Sequence, residues 1–121
     1  VSGEFDQAIT SYKSVVQLNK AAMAAEARYE IASCWLSLNK LSDAEKAAFE
    51  TINQSGSYDY WVTTAYILLG DIYFKQKDYF NAKATFQSVV DNTTDAELKA
   101  EAQSKLDQVT VEEGKSSKVN N

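Results

Sequence analysis

Three short segments along this chain repeat one pattern, and that recurrence constrains the fold more than any other feature. They are Gly3-Glu4-Phe5-Asp6-Gln7-Ala8, Asn39-Lys40-Leu41-Ser42-Asp43-Ala44 and Lys77-Asp78-Tyr79-Phe80-Asn81-Ala82. Each has a small or polar residue, an aromatic residue or Leu two places on, and Ala three after that. The alanines fall 36 and 38 residues apart, and Tyr12, Ala48 and Phe86 each follow their alanine by four. Self-similarity at such a period marks stacked supersecondary units, none of which can bury its apolar face alone.

Within each unit the apolar spacing is helical. Phe5, Ala8, Ile9, Tyr12, Val15 and Val16 predict a helix over 4–18; Met23, Ala27, Ile31, Cys34, Trp35 and Leu38 predict one over 22–38. Further helices are expected over 42–54, opened by a Ser42–Glu45 capping box, and over 58–75, the most apolar, with Trp61, Ala65, Leu68, Leu69 and Ile72. Two more follow over 79–91 and 95–110. Asn19-Lys20, Asn39-Lys40, Ser55-Gly56-Ser57, Gln76-Lys77-Asp78 and Asn92-Thr93-Thr94 supply the breaks, and the absence of proline leaves the helices uninterrupted. From 111 to 121 almost nothing is apolar, so a flexible tail is expected beyond a helical domain of 1–110.

Composition then removes function classes. With 12 Lys plus Arg against 17 Asp plus Glu, the net charge of −5 argues against a nucleic-acid partner. Histidine is absent, and with it the commonest general base and metal ligand. Cys34 is the single cysteine, so an internal disulfide and a cysteine zinc site are excluded. No run approaches the ~18 apolar residues of a membrane helix, and no basic segment followed by an apolar one opens the chain. Val1 stands where Met would begin a full chain, which reads as an excerpt or a processed product. Cytoplasmic and bacterial cell-envelope settings both stay open.

Residues 63–96 carry a family resemblance. Tyr66, the pair Leu69-Gly70, Tyr73, Asp78-Tyr79, Ala82 and Phe86 fall in the pattern of the tetratricopeptide repeat (TPR) family, with Thr94 where that family usually has Pro. The preceding unit matches less fully, through Ile31-Ala32, Trp35, Leu41, Ala44 and Ala48-Phe49. The chain therefore resembles a TPR array segment, with long Ala-rich repeats similar to bacterial envelope arrays. The resemblance implies an all-α fold: a right-handed α-solenoid of six antiparallel helices, with a lone second helix at the N-terminus and a capping helix at the C-terminus. It places Tyr66 and Tyr73 in the core. It leaves the apolar face of the first helix, with Phe5, Tyr12 and Val16, without a first-helix partner, hence an expected end interface for self-association or stacking.

In TPR proteins the first-helix residues between core positions line the concave face. By register these are Glu26, Tyr29, Glu30, Ser33, Leu36 and Ser37 in one unit, Thr64, Ile67, Leu68, Asp71, Phe74 and Lys75 in the next, and Glu97, Ala100 and Ser104 in the last helix. The basic residues with which some TPR proteins grip a peptide carboxylate are missing at the matching places, which hold Tyr29, Ser33, Ile67 and Asp71. A peptide with apolar side chains and a basic residue suits this groove better.

Other motifs have plainer accounts. Glu26 and Glu30, four apart with Asp71 on the next helix, could work as acid and base, but a solvated face beside Arg28 explains them. Cys34 lacks a histidine and reads as a buried thiol. Asn92-Thr93-Thr94 fits a glycosylation pattern and also ends a repeat. Tyr58, Tyr60 and Trp61 form the densest aromatic cluster and lie at a loop mouth; Phe80 is expected to point outward. The reading is a non-catalytic scaffold that binds a protein or peptide, without a cofactor; its alternative is a structural spacer in a longer array, polar in its groove and apolar at its ends.

Overall fold

The computed structural model describes residues 2–17, 21–56 and 59–120, with the side chains of 3–13, 21–56 and 59–116. Six helices follow one another: α1 (Ser2–Gln17), α2 (Ala21–Ser37), α3 (Leu41–Gln54), α4 (Asp59–Lys75), α5 (Tyr79–Asn92) and α6 (Ala96–Asn120). No strand occurs among the described residues.

Each helix packs on its chain neighbour; α2 also packs on α4, and α4 on α6. Among the described residues α1, α3 and α5 do not reach one another. The molecule therefore has an inner layer of α2, α4 and α6 and a splayed outer layer of α1, α3 and α5. That is the geometry of an all-helical repeat solenoid, in which each unit touches only its neighbours.

Two turns have the same construction. Asn39 and Lys77, 38 residues apart, both take the left-handed conformation, with φ of 58° and 61°. At each turn the next residue's amide bonds back five places, Lys40 to Trp35 at 3.0 Å and Asp78 to Tyr73 at 2.9 Å. The left-handed residue bonds back three, Asn39 to Leu36 and Lys77 to Phe74. This is the Schellman ending, which satisfies the last helical carbonyls. It leaves one residue before the next helix, so that Lys40 and Asp78 become the N-caps. Asp78 suits the position: its carboxylate accepts from the Asn81 amide at 3.2 Å. Lys40 offers no side-chain cap, and the expected Ser42–Glu45 box does not form, because α3 already begins at Leu41 and Ser42 lies inside its first turn.

The core has two clusters. The first joins Ile9, Ile31, Ala32, Cys34, Ala44, Ala47, Ala48, Leu68, Leu69 and Ile72. The second joins Ile67, Ala82, Phe86, Val89, Leu98, Ala102 and Val109. Helix α4 contributes to both, which is why it is apolar nearly all round. Equivalent positions of the two units are filled differently. Gly70 meets Phe86 in the second, whereas Ala32 and Ala48, 38 residues earlier, are both fully buried in the first. A Cβ on Gly70 would overlap the Phe86 ring, so the small residue permits the large one.

Three expectations need correction. The apolar face of α1 is partly covered within the chain: Ile9 is buried, and Phe5, Ala8 and Tyr12, half-buried, pack against the first cluster, on α2. Helix α2 itself serves as the missing partner. The side chain of Val16 lies outside the described residues. Nor does the helix stop at 110: α6 continues through Asn120, with Val109 buried and Lys83 of α5 holding Glu113 at 2.6 Å. Apolar scarcity there marks an exposed helix rather than a flexible tail. Tyr66, expected in the core, is 38% exposed beside the polar Ser88 and Asn92 of α5, where the seam between α4 and α5 stays open.

Candidate functional site

The inner layer brings α2, α4 and α6 onto one face, and a cavity of about 270 Å³ opens between them. Its walls come from residues that a periodic reading relates. Tyr29, Ile67 and Glu101 occupy the same place in successive units, as do Ser33, Asp71 and Lys105, at steps of 38 and 34 residues. Superhelical stacking sets equivalent positions side by side along the inner layer.

One wall is aromatic. Trp61 of α4 lies with its ring centroid 5.7 Å from that of Tyr29 of α2, tilted by 41°. Tyr60 stands edge-on to Trp61 at 4.9 Å and is 52% exposed. Such offset and edge contacts suit the ring quadrupoles and tie two helices together. Ile67, Leu68 and Leu98 form an apolar floor.

The remaining wall is acidic: Glu30 from α2, Asp71 from α4 and Glu101 from α6. Lys105 donates to both Asp71 carboxylate oxygens at 2.8 Å and stands 3.8 Å from Glu101. Burial nevertheless holds Asp71 above the ordinary carboxylate range, outweighing the hydrogen bond and charge of Lys105. Glu30 is also raised, by burial and then by Glu26. The Tyr29 hydroxyl is pushed up to about 12 by burial and by the neighbouring Glu30, Glu101 and Asp71. Carboxylates from three helices thus act on one phenol. Among the described residues no group of three or more His, Cys, Asp or Glu side chains is placed to hold one metal ion.

The cavity gathers six of the residues assigned to the groove by register: Tyr29, Glu30, Thr64, Ile67, Leu68 and Asp71. Thr64 turns its hydroxyl back to the Trp61 carbonyl at 3.0 Å, and Ile67 is 3% exposed, a wall rather than a free surface. The other nine do not line it, and Ser37, Glu97, Ala100 and Ser104 among them are exposed. Glu26 and Lys75 are exposed; Ser33, Leu36 and Phe74 are half-buried, Leu36 against the first cluster and Phe74 against the second and the Tyr79 ring. Register does not assign Tyr60, Trp61, Leu98 or Glu101 to the groove. By character Glu101 and Lys105 read as part of a solvent-facing cap, yet their 34-residue steps from Ile67 and Asp71 are the signal that finds them. Tyr58 lies outside the described residues. Cys34 is buried, and its thiol is pushed up by burial and by Glu30, away from nucleophilic reactivity.

Two family models, each described as Tetratricopeptide repeat, match residues 1–60 and 64–92. The chain belongs to the tetratricopeptide repeat family. No significant match was found among curated proteins or among solved structures. TPR repeats generally mediate protein–protein interaction or scaffolding and are generally non-catalytic. The two matched segments are parted by residues 61–63, within the first turns of α4, and the cavity of this TPR segment draws Tyr29, Glu30 and Tyr60 from the first and Thr64, Ile67, Leu68 and Asp71 from the second. Among the described residues, no helix is long and apolar enough to cross a membrane.

Proposed function

We propose that this TPR segment binds a protein or peptide partner along its concave face, in the trough of α2, α4 and α6. The observation that carries the reading is the cavity at the centre of that face, where a half-exposed aromatic wall meets an acidic one. Tyr and Trp are the side chains that most often anchor interfaces, since they bury large area at little entropic cost. End-to-end stacking through α1 has less support, because Phe5 and Tyr12 already pack inside the chain.

The test is a selection of linear peptides from a random library against the full chain, followed by amide and indole NMR shift mapping of a selected peptide. The expected footprint covers Tyr29, Trp61, Ile67 and Asp71. A footprint confined to α1, α3 and α5 overturns the reading.

A further inference from the structure

We propose that the cavity between α2, α4 and α6 receives an arginine side chain supplied by the partner, its guanidinium lying among Tyr29, Trp61 and the carboxylates of Glu30 and Glu101. This rests on the concave-face reading above and names what the centre of that face recognises.

Charge is the first argument. Three carboxylates face the cavity, and the one cation that pairs with any of them among the described residues, Lys105, is committed to Asp71 through both oxygens. Glu30 forms no ion pair among the described residues, and Glu101 has only the 3.8 Å approach of Lys105. An anionic or neutral guest would leave these carboxylates further desolvated and unmatched, whereas a cation relieves them.

Shape is the second argument. The carboxylates are not grouped closely enough for one metal ion to span three of them. A guest that spreads its charge over an extended group can reach more than one of them. At about 270 Å³ the cavity falls below the usual ~300–1,000 Å³ of small-molecule sites and suits one long side chain. Aromatic walls then favour guanidinium over ammonium. A guanidinium is planar, weakly hydrated and stacks on rings, and its fork pairs with a carboxylate through two parallel bonds. Leu68, Ile67 and Leu98 would line the aliphatic stem.

The experiment titrates the full chain with acetyl-Ala-Arg-Ala-amide and, separately, with the same peptide carrying citrulline, which keeps the shape and loses the charge. The readout is the NMR signal of the Trp61 indole. Expected is a saturable shift with the arginine probe, weakened by added salt, and at least tenfold weaker binding of the citrulline probe. Glu30→Gln and Glu101→Gln are near-isosteric and should fold as the parent; each should weaken the arginine probe several-fold and leave the citrulline probe unchanged. Equal binding of the two probes, or a shift unaffected by both substitutions, overturns the assignment. If the arginine probe fails while library-selected peptides still map to the concave face, the arginine assignment falls and the wider reading stands. If neither maps there, both fall.

Discussion

Gly70→Ala tests the packing between α4 and α5 with one methyl group. On an exposed helix the change should stabilise, because Ala exceeds Gly in helix propensity by about 0.8–1.0 kcal/mol. Here the new Cβ would stand 2.6 and 2.8 Å from two atoms of the Phe86 ring, and closer still to a third. Phe86 is 1% exposed, so its ring cannot simply swing out into solvent. Overpacking at such a contact costs about 1–3 kcal/mol, and more for a clash this deep. With a cost at or above the upper end of that range, less the propensity gain, the expected net loss is about 2 kcal/mol or more, read as a lower midpoint in urea unfolding followed by circular dichroism. Gly70→Leu should lose more. The companion change is Phe86→Ala, which alone costs about 3–5 kcal/mol through the cavity it leaves. In the double variant the methyl added at position 70 occupies part of that cavity, which recreates the pairing of two alanines found in the first unit at Ala32 and Ala48. The pair should therefore cost less than the sum of the single changes by about 1 kcal/mol or more. A stabilised Gly70→Ala protein, or additive effects within about 0.5 kcal/mol, would refute the reasoning.

Lys105→Met should destabilise by about 1–3 kcal/mol at neutral pH, because Asp71 loses its donor while still largely buried. The loss should shrink in acid, where Asp71 is protonated; paired urea titrations at about pH 4 and 7 decide it. Glu30 has a folded pKa above its ordinary 4.5, so its contribution to stability is full below that value and is lost as pH rises through the folded one. Glu30→Gln should therefore melt higher than the parent at pH 7, with the gap closing toward pH 4; a gap independent of pH would exclude the effect. Lys77→Gly should stabilise by about 0.5–1 kcal/mol, since Lys77 holds φ of 61°, where a Cβ is strained. A lower melting temperature would show that the Lys77 side chain contributes more than its backbone costs.

Repeat spacing made the architecture legible. The helical period, the alanines at 44 and 82 and the Leu69-Gly70 pair are local or repeated facts, and helices with small crossing residues follow from them. Six of the fifteen groove residues assigned by register reach the cavity for the same reason: a regular stack turns sequence spacing into spatial position. The failures also share a cause. Taken by its own character Tyr66 is an aromatic for the core, but its neighbours across the interface decide the matter; Glu101 is exposed, as its character says, and only the stack shows that it also borders the cavity. The family pattern begins with a first helix, which makes α1 look uncovered, while Phe5 and Tyr12 need only the back of α2.

By itself, the sequence determined six helices in paired units and where their turns fall, because propensity, capping and periodicity act over a few residues. Tertiary structure alone decided that Trp61 closes on Tyr29, that Lys105 reaches Asp71 across 34 residues, and that three carboxylates from three helices share one cavity. Burial and charge at a site are sums over neighbours that lie far apart along the chain, and only the stacked helices say which neighbours those are.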